Sequence, residues 1–192
     1  LLNYKKNENK DLKKNFKGKK NIKKKLIFDQ IQLKEKNNII SIKGLILSNE
    51  NKIIDLGNVD INYIDKEKLK NNLQITKEGK DYLISGNSFN IDSIIDKLLV
   101  SENNKKSKFI NKDFNLILKI EKIYLDKSNI INDLEGFLSF NKNEISELIL
   151  ESKFSNQKKI KFTIKNNGKE KITTLFSHEA KPIVKRYKFI KG

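Results

Sequence analysis

The chain has 192 residues, 36% of them hydrophobic, and a formal net charge of +17, which suits one domain, or one stretch of a longer repetitive body, with a modest core. It has no cysteine, so disulfides, thiolate zinc sites and cysteine nucleophiles are excluded. The charge invites a nucleic-acid reading through counterion release, but Arg186 is the only arginine, and arginine supplies the bidentate phosphate and base contacts.

The lysine excess, met alongside abundant Asn and Ile, therefore reads as compositional background, and a nucleic-acid partner is not expected. No apolar run approaches the roughly 20 residues that span a bilayer, and the N-terminus lacks a charged-then-apolar start with a cleavage site. Because the chain opens on Leu1 and stops at Lys191-Gly192 straight after an apolar stretch, both ends are expected to be cut from something larger. Any membrane anchor would then lie outside it.

Residues 1–25 are dominated by Lys and Asn, with only Leu12, Phe16 and Ile22 as scattered anchors between Tyr4 and Lys25. Such a stretch cannot bury enough surface to offset its ordering entropy, so it reads as a mobile loop or linker. The competing reading is a basic arm that grips a polyanion or an anionic lipid surface through Lys13, Lys14, Lys19, Lys20 and Lys23 to Lys25.

Residues 26–192 read as one β-rich segment, because the apolar period becomes two after Leu26. Ile40, Ile42, Leu45 and Leu47 flank Gly44, where a missing side chain permits a bulge or bend. Val59, Ile61 and Tyr63 alternate with Asp60 and Asn62. Leu73 and Ile75, a Lys77-Glu78-Gly79-Lys80 turn, then Tyr82 and Ile84 predict a hairpin.

Next comes a change of period. Ile91, Ile94, Ile95, Leu98 and Leu99 fall on one helical face, with Asn90 as N-cap and Asp92 favouring the helix dipole. A polar break over Glu102 to Lys108 leads back to strands. Phe114, Leu116, Leu118 and Ile120 share a face, with Ile123 and Leu125 continuing that strand or forming its neighbour. Leu134, Gly136, Leu138 and Phe140 follow, then an Asn141-Lys142-Asn143-Glu144 turn and a strand near Ile145 to Ser152.

Ile160, Phe162 and Ile164 precede Asn167-Gly168, a two-residue hairpin signal, and Ile172, Thr174 and Phe176 form the return strand. Ser177 is placed to cap a second helix that runs to about Arg186. Pro182 is tolerated only in its first turn, which puts the start near Glu179 to Lys181. The expected fold is β-rich (α+β), a curved antiparallel meander with two short amphipathic helices, forming a segment of an elongated groove-like β structure.

Catalytic machinery is not expected, nor any metal or cofactor. His178 is the only histidine, no Gly-x-Ser-x-Gly elbow surrounds a serine, and a capping or surface role suits it better than a triad. Asp92 with Asp96, and Glu144 with Glu147, lack the histidines and spacing of a metal site and read as solvated charge. No phosphate-cradling glycine loop is present. Phe114, Phe140 and Phe162 run in phase with Leu and Ile rather than with Lys, as core aromatics do and stacking platforms for single strands do not.

Two passages carry a family likeness: Tyr82-Leu83-Ile84-Ser85-Gly86-Asn87-Ser88-Phe89-Asn90-Ile91-Asp92-Ser93-Ile94-Ile95 and Thr174-Leu175-Phe176-Ser177-His178-Glu179-Ala180-Lys181-Pro182-Ile183-Val184. With the meander between them, they resemble the C-terminal region of large AsmA-like proteins of the YhdP type, relatives of TamB, over about residues 38 to 192. That family usually has Asp in place of Asn90, and Asp-Ala-Gly in place of Glu179-Ala180-Lys181; both are cap and turn positions.

The resemblance implies a periplasmic portion of an inner-membrane-anchored protein of the Gram-negative envelope. In such a protein a curved sheet with an apolar groove carries phospholipid toward the outer membrane and so contributes to outer-membrane biogenesis. The partners it implies are phospholipid acyl chains. Candidate lipid-facing or core residues are Phe114, Leu116, Leu118, Ile120, Leu134, Leu138, Phe140, Ile160, Phe162 and Ile164, with Gly86, Phe89, Asn90 and Ser177 as structural caps.

Overall fold

The structure, a computed structural model, describes residues 2–6, 25–92, 113–141, 144–166, 168 and 170–183. Strands dominate it: β1 (Leu2–Lys6), β2 (Lys25–Glu35), β3 (Asn38–Ser48), β4 (Ile53–Asp55), β5 (Val59–Ile64), β6 (Lys70–Glu78), β7 (Asp81–Asn90), β8 (Phe114–Tyr124), β9 (Ile130–Asn141), β10 (Glu144–Phe154), β11 (Lys159–Asn166) and β12 (Lys171–Ser177). They form one open, curved sheet in the order β1-β2-β3-β5-β6-β7-β8-β9-β10-β11-β12, with β4 paired to β3. The alternation of apolar and polar residues lines up one continuous apolar face from β2 to β11, while a shorter apolar row, Leu83, Ile117, Phe137 and Ile149, and Ile172 and Phe176 of β12 lie on the other face.

Tight turns set most of the order. Glu78 faces Asp81 across a two-residue turn, and Gly79 takes φ +66° at the position that type II′ turns reserve for glycine. The β11–β12 hairpin forms as expected, but with a longer loop, because Asn166 pairs with Lys171 and Gly168 takes φ +87°.

One departure from a simple meander stands at the middle. Strands β7 and β8 pair in parallel, Tyr82 with Leu116 and Ile84 with Leu118, while every other pair is antiparallel. A parallel pair needs a crossover of a dozen or more residues, and residues 91–113 supply it. The sheet is thus two antiparallel meanders joined side by side.

The two expected amphipathic helices are not part of the described fold. Of the first, only Asp92 is described as helical and residues 93–100 lie outside the described residues; of the second, Lys181–Ile183 is helical and residues 184–192 lie outside. At the other end, Leu2–Lys6 falls in the stretch read as a linker, yet pairs with β2 from Leu2 opposite Leu33 to Lys6 opposite Phe28. The linker reading of residues 7–24 lies outside the described residues.

The core is a band across the sheet rather than a layer between two sheets. Leu73, Ile120, Ile123, Leu125, Ile131, Leu134, Phe154 and Ile183 cluster together, with Ile61, Ile84, Phe89, Leu118, Leu150 and Ile160 packed against them. Ile123 is 0% exposed.

A line of irregularity runs through this band. The β6–β7 register shifts between Asn72 and Leu73, which gives β7 an extra residue, and the β9–β10 register shifts between Glu151 and Lys153, which gives one to β9. Between these sites β7, β8 and β9 keep register with one another, so the three change phase together, from Gly86, Ile120 and Leu134 to Phe89, Ile123 and Ile131. Bulges of this kind re-aim side chains and tighten the twist. The apolar jump from Ile120 to Ile123 in one strand follows from it.

Candidate functional site

The ten apolar candidates share one face of the sheet. Phe114 lies opposite Phe140, Leu116 opposite Leu138 and Ile120 opposite Leu134. Strand β10 links them to β11: Leu148 faces Leu138 on one side and Ile164 on the other, and Leu150 faces Gly136 and Phe162. Phe114, Ile120 and Leu134 are buried, whereas Leu116, Leu118, Leu138, Phe140, Ile160, Phe162 and Ile164 remain half-exposed. No second sheet covers this face among the described residues, and burial is deepest in the cluster that Ile183 joins.

Relief on the face comes from Gly136 and from an aromatic row. A Cβ on Gly136 would collide with Leu150 Cδ2 and come within 3.0 Å of Leu118 Cδ1, so the leucines of the flanking strands lean over the glycine. Toward the start of β8, Phe114 stacks on Phe140 with centroids 4.7 Å apart and meets Tyr82 edge to face at 5.9 Å. Burial pushes the Tyr82 phenol up, with the nearby Asp55 carboxylate adding to the shift.

The same face continues into the first meander. Ile84 and Gly86 of β7 adjoin Leu118 and Ile120, Leu73 and Ile75 face Gly86 and Ile84, and Ile61 and Val59 face Leu73 and Ile75. It ends on Ile40 and Ile42, which face Ile61 and Val59 from β3, and on Leu33 and Ile31 of β2. These residues, with Leu148 and Leu150, complete the face beyond the candidates named from sequence. Their own alternation was the signal; what was missing was which strands lie beside β8.

The cap residues meet a polar network. Asn90 Oδ1 accepts the Asp92 amide at 3.0 Å, the geometry of an N-cap, and its Nδ2 donates to Asp65 at 2.7 Å. Asn71, 0% exposed, accepts the Asn90 amide at 2.8 Å and donates to the Leu69 carbonyl at 3.1 Å. Asp65 Oδ1 also accepts the Glu67 and Leu69 amides, each at 2.9 Å. Burial opposes ionisation of Asp65, but donation from Asn90, Leu69, Glu67 and Asn71 outweighs it and holds the carboxyl below its ordinary value.

Gly86 and Phe89 sit on either side of the β7 bulge. A Cβ on Gly86 would collide with the Asn72 carbonyl and approach Leu73 Cα at 2.9 Å, so a side chain is barred there by backbone. Buried serines satisfy carbonyls at both bulges, Ser88 donating to Lys70 at 2.7 Å and Ser152 to Asn132 at 2.5 Å. Ser177 Oγ accepts the Glu179 amide at 3.2 Å and donates to the Glu179 carbonyl at 2.7 Å. It thereby fastens the bend before the helical residues, which begin four positions on at Lys181.

Little in the described residues is arranged for acid–base work. His178 Nδ1 accepts the Lys159 amide at 3.2 Å, and its ring meets Phe176 edge to face, so it extends the β11–β12 ladder. Glu144 and Glu147 lie on a strand rather than on a helical turn, while Asp96 lies outside the described residues. No group of three or more His, Cys, Asp and Glu side chains converges among the described residues.

The opposite face mixes signs: Lys161 pairs with Glu151 and Lys153 with Asp133. The hydrogen bond that Lys161 donates to Glu151 holds that carboxyl below its ordinary value. The basic arm between residues 7 and 24 lies outside the described residues. No helix among the described residues is long and apolar enough to cross a membrane. No family model, curated protein or solved structure matches the chain.

Proposed function

We propose that the chain is a non-catalytic wall segment of an AsmA-like scaffold or lipid conduit, whose apolar sheet face receives phospholipid acyl chains. The observation that carries this reading is the unbroken apolar face from β2 to β11, half-exposed at Leu116, Leu138, Phe140, Phe162 and Ile164. Each acyl methylene moved from water onto such a face is worth about 0.8 kcal/mol, so a chain laid along several strands is held without any polar contact. An open sheet lets that chain enter and leave from the side, as transport between inner and outer membrane requires.

In this reading the protein belongs to the periplasm, anchored in the inner membrane through parts outside the sequence, and it serves outer-membrane biogenesis. Photocrosslinking tests the idea. A photoreactive residue at Leu116, Leu138 or Phe162 is expected to capture phospholipid from vesicles, and one at Ser139 or Thr163, next along the same strands on the other face, is not. Capture from neither set, or equally from both, removes the conduit and leaves a structural role.

The competing reading, a basic module for nucleic acid or another polyanion, rests on the lysine-rich arm. It predicts affinity that falls steeply with salt. Filter binding at low salt with and without residues 7–24 decides it.

A further inference from the structure

Strand β12 is the last of the sheet, and nothing pairs with its outer edge among the described residues. Among the described residues the chain does not continue along that edge. After Ser177 it bends, Ile183 donates to the Ala180 carbonyl at 3.0 Å, and the Ile183 side chain returns to the core with 5% exposure. What is left is an edge strand exposed on both faces, with Ile172 and Phe176 51% and Leu175 41% exposed. Its pairing with β11 is free of bulges, and the strand itself has no proline. Natural sheets blunt such edges with charge, proline or bulges unless the edge is used.

The sequence of β12 also matches itself in the antiparallel sense. Turned about Thr174, Thr173 falls opposite Leu175, Ile172 opposite Phe176 and Lys171 opposite Ser177, while the flanking Glu170 falls opposite His178. Aromatic and β-branched pairs directly across a ladder are favourable and like charges are not; this register has two of the former and none of the latter, despite the chain's net positive charge. A parallel in-register pairing would instead set Lys171 against Lys171. Ile172, Phe176 and His178 lie on one face of the strand, with Phe176 and His178 already in edge-to-face contact.

We propose that β12 is a homodimer interface, pairing antiparallel with β12 of a second copy about a two-fold axis through Thr174, so that two sheets join edge to edge. The contact is isologous and closes on itself. It stands apart from the lipid reading, since it uses the backbone edge and not the apolar face.

Analytical ultracentrifugation of the full chain is expected to show a concentration-dependent monomer–dimer equilibrium. Thr174→Lys puts two ammonium groups opposite each other at the axis and is expected to weaken dimerisation about tenfold, with an unchanged circular dichroism spectrum. Because the chain has no cysteine, Thr174→Cys is expected to yield a disulfide-linked dimer under oxidising conditions, and Thr163→Cys, one strand inward, is not. A chain that sediments as a monomer throughout, whether residues 184–192 cover the edge or leave it open, overturns the proposal. So does a dimer indifferent to Thr174→Lys, or equal crosslinking from both cysteine variants.

Discussion

Asn71 accepts the backbone amide of Asn90 through its side-chain oxygen at 2.8 Å, from a position with no solvent exposure at all. That bond joins the start of β6 to the end of β7, where the chain leaves the first meander for the crossover. Asn71→Ala strips the partner from a buried amide, which costs about 1–3 kcal/mol. Thermal unfolding is expected to show it as a fall of about 2–4 °C per kcal/mol for a chain of this size.

Gly86 and Gly136 make a contrasting pair. An added methyl group collides with backbone at Gly86, whereas at Gly136 its closest contacts are the ends of leucine side chains and the nearest backbone atom, the Ile149 carbonyl oxygen, stands off at 3.3 Å. Gly86→Ala is therefore expected to destabilise by about 1–3 kcal/mol, as overpacking does, and Gly136→Ala by clearly less, because Leu118 and Leu150 can rotate away. Urea denaturation midpoints of the two variants compare them directly, and equal losses would contradict the packing described.

Acid should act through Asp65. Its folded-state pKa lies below the ordinary value, so the stability it contributes is fully present above its unfolded pKa, near 3.9, and is lost as the pH falls from there through the depressed folded value. Asp65→Asn is expected to flatten this part of the acid limb while leaving the slope near neutrality unchanged. Unfolding free energies measured from pH 7 to pH 2 for both proteins provide the check.

Core and open face should respond differently to truncation. Ile123→Ala, in the centre of the cluster, is expected to cost about 2–5 kcal/mol. Leu138→Ala on the half-exposed part of the same face should cost less than half of that, because its methyl groups are already partly in water. If lipid occupies the face, added phospholipid stabilises the parent protein more than the Leu138→Ala variant in thermal melts.

Much of the sheet is legible in the residues alone. Alternation at Phe114 to Ile120, Leu134 to Phe140 and Ile160 to Ile164 specifies strands and their apolar side, because a period of two has only one way to bury its hydrophobes. Gly79 marks its turn by the backbone angle it alone adopts cheaply. Even the jump from Ile120 to Ile123 is written in the chain, although without the neighbouring bulges it reads equally well as two strands.

Strand β1 was hidden by its lysines, since pairing uses the backbone and a short edge strand needs no apolar stripe. Asn71 and Asp65 were equally silent: an asparagine and an aspartate in a polar stretch of sequence resemble any others until the fold buries one and aims donors at the other.

By itself, then, the sequence determined a β-rich chain with one apolar face, no cysteine chemistry and a lone histidine, since these follow from composition and local periodicity. Only the tertiary structure decided that β7 and β8 run parallel, that β7, β8 and β9 change phase together, and that no second sheet covers the apolar face among the described residues. Those are relations between segments far apart in the chain, set by register and by where the crossover returns, and no local pattern encodes them.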